Sequence, residues 1–218
     1  MLKQITSNTI IKSLFILLLG GVCGYLINAY ICQRNTDNAL VQCSDLKTEM
    51  QKLWGNYAWW TRSYVIAALN DAPDLEALLQ RLLKNQAAIA DAFTPYYGTQ
   101  VSEKLAELLK AHILIATELL AAAKARNRKQ YTTLNKEWKN NTHAIATLLN
   151  DINPLPWTVK KITYLFDEIA EFTVKEVASR ISKKWDADIT AFDEIFNKAI
   201  LMANLITQGI TQQYPEKI

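Results

Sequence analysis

The chain has 218 residues, half of them hydrophobic, with only 6 glycines and 5 prolines. This composition, rich in Ala, Leu, Lys, Glu and Gln, favours long helices over sheets. The net charge is +3, without the clustered basic face that nucleic-acid binders carry, so nucleic acid is disfavoured as a partner.

The first predicted element is an apolar segment over residues 13–32, SLFILLLGGVCGYLINAYIC, which contains no formal charge. Twenty residues at 1.5 Å each span the roughly 30 Å hydrocarbon core of a bilayer. A cleaved signal peptide is the alternative interpretation. The run is long for such a signal and no clean A-x-A cleavage site follows it. We therefore expect an uncleaved transmembrane anchor that binds the lipid bilayer.

Flanking charge predicts the orientation of this anchor. Lys3 and Lys12 precede the apolar segment, whereas the charges that follow it nearly cancel. By the positive-inside rule, residues 1–12 are expected in the cytoplasm. Residues 33–44 would then form a stalk, and residues 45–218 a helical bundle domain on the exported side, periplasmic or extracellular.

Beyond residue 45, apolar residues recur at spacings of three and four, which is typical of amphipathic helices. Turns rich in Pro, Gly, Asn and Asp, or in charge, separate these stretches. Six helices are predicted, over about 45–70, 74–94, 100–125, 128–150, 157–182 and 186–212. Short connections make successive helices antiparallel. The predicted fold class is therefore all-α, an antiparallel six-helix bundle behind a transmembrane helix.

A shift of 56 residues aligns the chain with itself. It superimposes two sets of polar residues: the threonines Thr61, Thr117 and Thr173, and the asparagines Asn85, Asn141 and Asn197. We interpret the domain as three helical hairpins of about 56 residues each. The threonines could form a ring of hydroxyls, although such hydroxyls commonly bond back to their own helical turn. The asparagines are candidates for fixing the register between helices.

An aromatic stretch, WGNYAWWTRSY, occupies residues 54–64 of the first predicted helix. On a helical wheel, Trp54 and Tyr57 share the arc expected to be buried. Trp59 and Arg62 point away from that arc. We therefore expect Trp59 to be a partner-facing or cation-stacking anchor together with Arg62.

The basic segment AAAKARNRK, residues 121–129, closes the third predicted helix. Cations at this position offset the negative end of the helix dipole, so a solvated helix end is the simplest interpretation. Contact with an anionic lipid headgroup is the alternative.

Several segments occur in the order seen in one family: LWGNYAWWTR, LLKNQAAIADAFTPYYG, LLKAHILIATELLAAAK and EWKNNTHAIATLLNDINP. Together they resemble an uncharacterised family of small bacterial all-helical proteins, with patterns such as LWxxHxxWTR, LLxNQxxIGxAIxPFYG and LLxxHIxIAxxLLxAAK. The resemblance covers about residues 50–218 and implies the fold, but no activity. The family often carries histidine where this chain has Tyr57, Ile169 and Phe196, and His112 is the one such position retained.

Recurrent histidines on successive helices imply a metal site in the resembled family. In this chain its remnant would be His112 with Glu118, Glu176 or Asp193. Paired E-x-x-H or H-x-x-E-H units are missing from the sequence, so no metal or other cofactor is expected, although a metal ion at this remnant stays an alternative.

Catalytic motifs such as G-x-S-x-G and glycine-rich phosphate loops are also missing from the sequence, so enzymatic turnover is the least favoured function. The favoured function is a membrane-tethered, non-enzymatic envelope or surface module that binds an unidentified protein partner or associates with itself. The alternative is a metal- or small-molecule-binding bundle with a degenerate site around His112.

Overall fold

The computed structural model describes residues 44–217, and this part of the chain is all-α, with six long helices and no strand. The helices are α1 (44–69), α2 (Leu75–Asp91), α3 (Thr94–Tyr97), α4 (Thr99–Lys124), α5 (Arg128–Ile152), α6 (Val159–Ile181) and α7 (Trp185–Gln213), followed by a 3-10 turn over Pro215–Lys217. The predicted six-helix, all-α fold is confirmed for the described residues. Every long helix ends within three residues of its predicted bounds.

The short helix α3 lies in the predicted break between the second and third predicted helices. Pro95 stands in its first turn, where the fixed φ of proline suits a helix and the missing N–H costs nothing. Gly98 then adopts φ 80° and separates α3 from α4. The break is therefore a single helical turn followed by a glycine stop.

Three turns lie at one end of the bundle, which we call the turn end: α1–α2, α4–α5 and α6–α7. Each contains one residue with positive φ, at Asp71 (52°), Arg126 (54°) and Lys183 (58°). A left-handed residue of this kind commonly terminates a helix. The Lys124 ammonium donates to the Ala68 carbonyl oxygen at 2.7 Å, which joins the ends of α4 and α1.

At the opposite end, a buried tryptophan in the α5–α6 connection holds the chain against α7. Trp157 is fully buried, and its Nε1 donates to the Leu205 carbonyl oxygen at 2.9 Å. A Cβ at Gly209 would lie 2.3 Å from Trp157 Nε1. Only glycine permits this approach of ring to backbone.

Two of the three aligned asparagines tie adjacent helices together. Asn85 Nδ2 donates to the Leu53 carbonyl oxygen at 3.0 Å, and Asn141 Nδ2 donates to the Leu108 carbonyl oxygen at 3.1 Å. These bonds join α2 to α1 and α5 to α4. A residue that fixes the register between two helices must make a contact of this kind. Asn197 is exposed and makes no equivalent bond within residues 44–217.

Among the helices of residues 44–217, none is long and apolar enough to cross a membrane. The predicted anchor over 13–32, the cytoplasmic segment 1–12 and almost all of the stalk lie outside the described residues. The compact helical unit spans Asp45–Lys217.

Candidate functional site

A cavity of about 290 Å³ lies between α1, α2, α4, α5 and α6. Its lining is mostly aliphatic and aromatic, and α4 and α6 supply more than half of it. Along both helices the lining residues recur three and four apart, so one face of each helix borders the cavity. The cavity thus occupies the place where these helix faces would otherwise pack against each other.

The cavity has a closed end and an open end. Its lining is buried at Tyr57, His112, Trp138 and Ile169, and exposed at Ala123, Val174, Ala178 and Ile181. Since Ala123 and Ile181 stand at the C-terminal ends of α4 and α6, the cavity opens at the turn end of the bundle.

His112 belongs to the closed end. Its Nδ1 lies 3.0 Å from Asn141 Oδ1, and its ring packs between Trp138 and Phe166 at centroid distances of 4.6 and 5.0 Å. Because the Asn141 amide donates to the Leu108 carbonyl, its oxygen accepts from Nδ1–H. This arrangement assigns the tautomer in which Nε2 is an acceptor.

Burial lowers the pKa of His112 to about 4, and the hydrogen bond to Asn141 offsets only part of this effect. The imidazole is therefore neutral at physiological pH. Within residues 44–217 no donor bonds its Nε2, so this nitrogen can accept a hydrogen bond.

The three aligned threonines all line this cavity. Thr117 Oγ1 donates to the Leu114 carbonyl oxygen at 2.7 Å, and Thr173 Oγ1 to the Ile169 carbonyl oxygen at 2.8 Å. The prediction that such hydroxyls bond back to their own helix is confirmed for these two. The buried Thr61 hydroxyl has no partner among the described residues.

Three of the four positions at which the resembled family often carries histidine also line the cavity: Tyr57, His112 and Ile169. Burial raises the pKa of Tyr57 to about 12, so its phenol stays protonated. The fourth position, Phe196, lies on α7 against Gly55 and outside the cavity lining.

The structure does not bring the predicted metal-ligand residues together. Glu118 and Asp193 are exposed, whereas His112 and Glu176 are buried on different helices. Glu176 accepts a hydrogen bond from Arg62. Within residues 44–217 no three His, Cys, Asp or Glu side chains are grouped so that they could hold a metal ion.

Arg62 instead belongs to a buried charge cluster that joins α1, α6 and α7. Its Nη1 donates to Glu176 Oε1 at 2.5 Å, and its guanidinium makes a bidentate pair with Asp188 at 3.0 and 3.1 Å. Arg180 donates to the same Asp188 carboxylate at 2.5 Å. Burial raises the pKa of Glu176 to about 7, although Arg62 acts in the opposite direction.

Trp59, predicted as a partner-facing anchor, remains 54% exposed. Its ring packs on Phe192 at 4.8 Å between centroids. The Arg62 guanidinium lies over Phe192 at 4.7 Å, so the cation–π partner of Arg62 is Phe192 and not Trp59. Of the two predicted contact residues, Trp59 is available at the surface, while the Arg62 side chain is only 12% exposed.

Sequence reasoning missed the cavity, Asp188 and Arg180. A sequence pattern for the cavity did exist, because the threonine set aligned by the 56-residue shift marks its wall on α1, α4 and α6. For Asp188 no local pattern exists: its partner Arg62 is 126 positions away.

Comparison with protein-family models, curated proteins and solved structures finds no match to this chain. The resemblance to an uncharacterised bacterial family therefore stays a prediction.

Proposed function

We propose that the domain is a non-enzymatic binding module that holds one small, largely apolar molecule in the cavity between α1, α2, α4, α5 and α6. The observation that carries this proposal is the cavity itself, about 290 Å³ of space with an apolar wall. Protein interiors are normally close-packed, with few voids larger than a water molecule. Apolar pockets with a few polar groups are the usual form of small-molecule sites.

The volume limits the ligand. An engineered apolar cavity of about 150 Å³ in another protein binds benzene. A cavity of about 290 Å³ is roughly twice that size and suits a molecule of about ten to twelve carbon atoms. A two-ring compound or a medium-length alkyl chain fits this limit.

Three polar groups of the lining can orient such a ligand. His112 Nε2 is an acceptor, as its tautomer requires. The Thr61 hydroxyl and the Trp138 indole N–H are buried without a partner among the described residues. A hydroxyl or carbonyl along the ligand's uncharged chain would bond to these groups. Without such a bond, the buried Thr61 and Trp138 atoms stay unsatisfied at a cost of about 1–3 kcal/mol each.

The chemistry of the lining favours binding over turnover. The described lining contains one histidine and no carboxylate, lysine, arginine or cysteine. General acid–base catalysis needs a positioned proton donor or acceptor tuned to the working pH, whereas burial lowers the pKa of His112 to about 4. Among the described residues, Thr117 and Thr173 donate to backbone carbonyls and Thr61 has no partner, so none of these hydroxyls is hydrogen-bonded to His112 as a base.

The wider proposal includes the placement of the domain. It would be tethered to a membrane by residues 13–32 and exported, with an N-terminal cytoplasmic segment, and would belong to the resembled bacterial family. Its organisation as three similar hairpins is supported by the positive φ at Asp71, Arg126 and Lys183, which stand 55 and 57 residues apart.

Thermal unfolding of the full chain tests ligand binding. In phosphatidylcholine vesicles, with tryptophan fluorescence as the probe, 1-octanol at ten times its Kd should stabilise the protein by about 1.4 kcal/mol. For a domain of this size that is a rise of about 3–6 °C in Tm.

A cavity-filling variant and a matched control locate the effect. Ala116 lines the cavity, while Ala121 on the same helix is exposed and does not line it. Ala116→Leu should abolish the rise in Tm, and Ala121→Leu should leave it unchanged. No rise in the wild-type chain, or equal rises in both variants, would refute the proposal.

A second function, protein–protein contact or self-association, is favoured by one observation: Trp59 is 54% exposed and held in place against Phe192. Exposed aromatic residues are common anchors of interfaces. Trp59→Ala should then lower the sedimentation-derived mass of the full chain, with Trp185→Ala, another half-exposed tryptophan, as the control. An unchanged mass would remove self-association through Trp59.

A further inference from the structure

Six basic residues surround the open end of the cavity. They are Lys124, Arg126, Arg128 and Lys129 around the α4–α5 turn, and Lys183 and Lys184 in the α6–α7 turn, all exposed. Four exposed acidic residues stand at the same end: Asp71, Asp74, Glu76 and Asp186. The mouth of the cavity therefore carries an excess of positive charge.

Among residues 44–217, Lys124 alone of these six cations has an acidic partner. Lys124 Nζ lies 2.6 Å from Asp71 Oδ1 and donates to the Ala68 carbonyl oxygen. Within residues 44–217, no ion pair involves the other five basic residues of the mouth. Their charges are available to an anion from solution.

Arg128 lies in line with the cavity-lining residues of α5. It precedes Tyr131, Asn135 and Trp138 by three, seven and ten residues, and these three all line the cavity. Residues at such spacings share one face of a helix, so Arg128 extends the cavity-lining face of α5 past the mouth. Asn127 caps this helix by accepting from the Gln130 backbone N–H at 3.1 Å, which fixes the turn that carries Arg128.

The interior excludes an ionic group, since its described lining contains no charged side chain. Transfer of an unpaired carboxylate or phosphate into an apolar site is strongly unfavourable. A charged head must therefore stay at the mouth, while an uncharged chain enters. The cavity follows α4 from Ala123 to His112, and these positions are eleven steps of 1.5 Å apart, a depth of about 16 Å.

We propose that the ligand is an amphipathic anion: an alkyl or acyl chain of roughly ten carbons that fills the cavity, with a carboxylate or phosphate head held at the mouth by Arg128 and its basic neighbours. This inference rests on the proposed function and adds the charge of the ligand and its direction of entry. The chain points toward Tyr57 and His112, and the head faces solvent at the turn end.

Binding of three eight-carbon probes to the full chain tests this inference. Octanoate, octyl phosphate and 1-octanol share one chain and differ in the head. Their dissociation constants are measured by tryptophan fluorescence, with the chain in phosphatidylcholine vesicles at pH 7.5. At least one anionic probe should bind more tightly than octanol. Raising the salt concentration should weaken the binding of the anionic probes and leave the binding of octanol unchanged. The tighter of the two anions distinguishes a free carboxylic acid from a phosphate-headed lipid.

Charge reversal at the mouth provides the decisive variant. Arg128→Glu should raise the dissociation constant of the tighter-binding anion about three- to tenfold. The dissociation constant of octanol should change by less than about twofold. Glutamate suits the first turn of a helix, so this variant should fold. Lys160→Glu is the matched control because Lys160 is exposed in the first turn of α6. Lys160 lies 21 residues, about 32 Å of helix, from Ile181 at the mouth. Its replacement should therefore leave the dissociation constants of all three probes unchanged.

The outcomes separate this inference from the proposed function. If octanol binds but neither anion binds tighter, or if Arg128→Glu leaves the anions unaffected, the inference is wrong while the apolar cavity site stands. If Arg128→Glu weakens octanol as much as the anions, the residue shapes the cavity rather than attracting charge, and the inference is again wrong. If no probe binds the wild-type chain, both proposals fall.

Discussion

Replacing Glu176 with glutamine should reveal a pH dependence of stability that the wild-type protein conceals. Two buried groups, Glu176 in the charge cluster and His112 in the cavity wall, have pKa values displaced in opposite directions. Their effects on the free energy of unfolding therefore oppose each other over one interval of pH.

The Glu176 contribution falls as the pH rises. Burial raises its pKa from 4.5 to about 7, so the folded state keeps the proton over an interval in which the unfolded state has lost it. The stabilisation is fully present below pH 4.5 and is lost as the pH rises to 7. At about 1.4 kcal/mol per pH unit, the loss between pH 5 and pH 6.5 is about 2 kcal/mol.

The His112 contribution has the opposite sign. Burial lowers its pKa from 6.5 to about 4, so the unfolded state binds a proton that the folded state does not hold. The stabilisation is present above pH 6.5 and is lost as the pH falls to 4. Between pH 5 and pH 6.5 it rises by about 2 kcal/mol, which cancels the effect of Glu176.

Urea unfolding of the full chain at pH 5 and pH 6.5 measures these contributions. The wild-type free energy should be nearly equal at the two values. Glu176→Gln should gain about 2 kcal/mol on going to pH 6.5, His112→Gln should lose about as much, and the exposed Glu118→Gln should follow the wild type. If Glu176→Gln has the wild-type profile, the reasoning about its buried proton is wrong.

Two further variants test contacts that hold the helices of the bundle together. Gly209→Ala should lower the free energy of unfolding by about 1–3 kcal/mol, because the new Cβ would lie 2.3 Å from Trp157 Nε1; unchanged urea stability would contradict that close approach. Asn141→Leu should cost about 1–3 kcal/mol and make the urea transition less steep, since the Leu108 carbonyl and His112 Nδ1 lose their partner; an unchanged midpoint and slope would argue against its role in register.

The sequence predicted the helices well because their cause is local. Apolar spacing of three and four marks the buried face of each helix, and Pro, Gly and Asn mark the ends. The same spacing correctly placed Trp54 and Tyr57 in the core and Trp59 at the surface. The α3 turn is not predicted by these signals because proline commonly marks a break between helices, whereas Pro95 lies in the first turn of one.

The candidate site could be predicted only in part because it depends on contacts between distant segments. The 56-residue shift identified Thr61, Thr117 and Thr173 as equivalent, yet it does not show whether their side chains meet a packed interior or a cavity. A cavity forms where the side chains of five helices together fill less than the space between them. A local sequence pattern does not show this total volume. Arg62 likewise has the sequence pattern of a surface cation. It is buried because its two carboxylate partners lie on α6 and α7, far away in the sequence.

Locating a bound ligand by anomalous X-ray scattering would decide whether the cavity is a binding site. Crystals of the full chain grown with 8-bromooctanol should show a bromine peak between α4 and α6, inside the cavity that Thr117, Thr173 and His112 line. The Ala116→Leu variant should lack that peak. Bromine found only on the outer surface, or the same peak in wild type and Ala116→Leu, would contradict the proposal that this space holds a ligand.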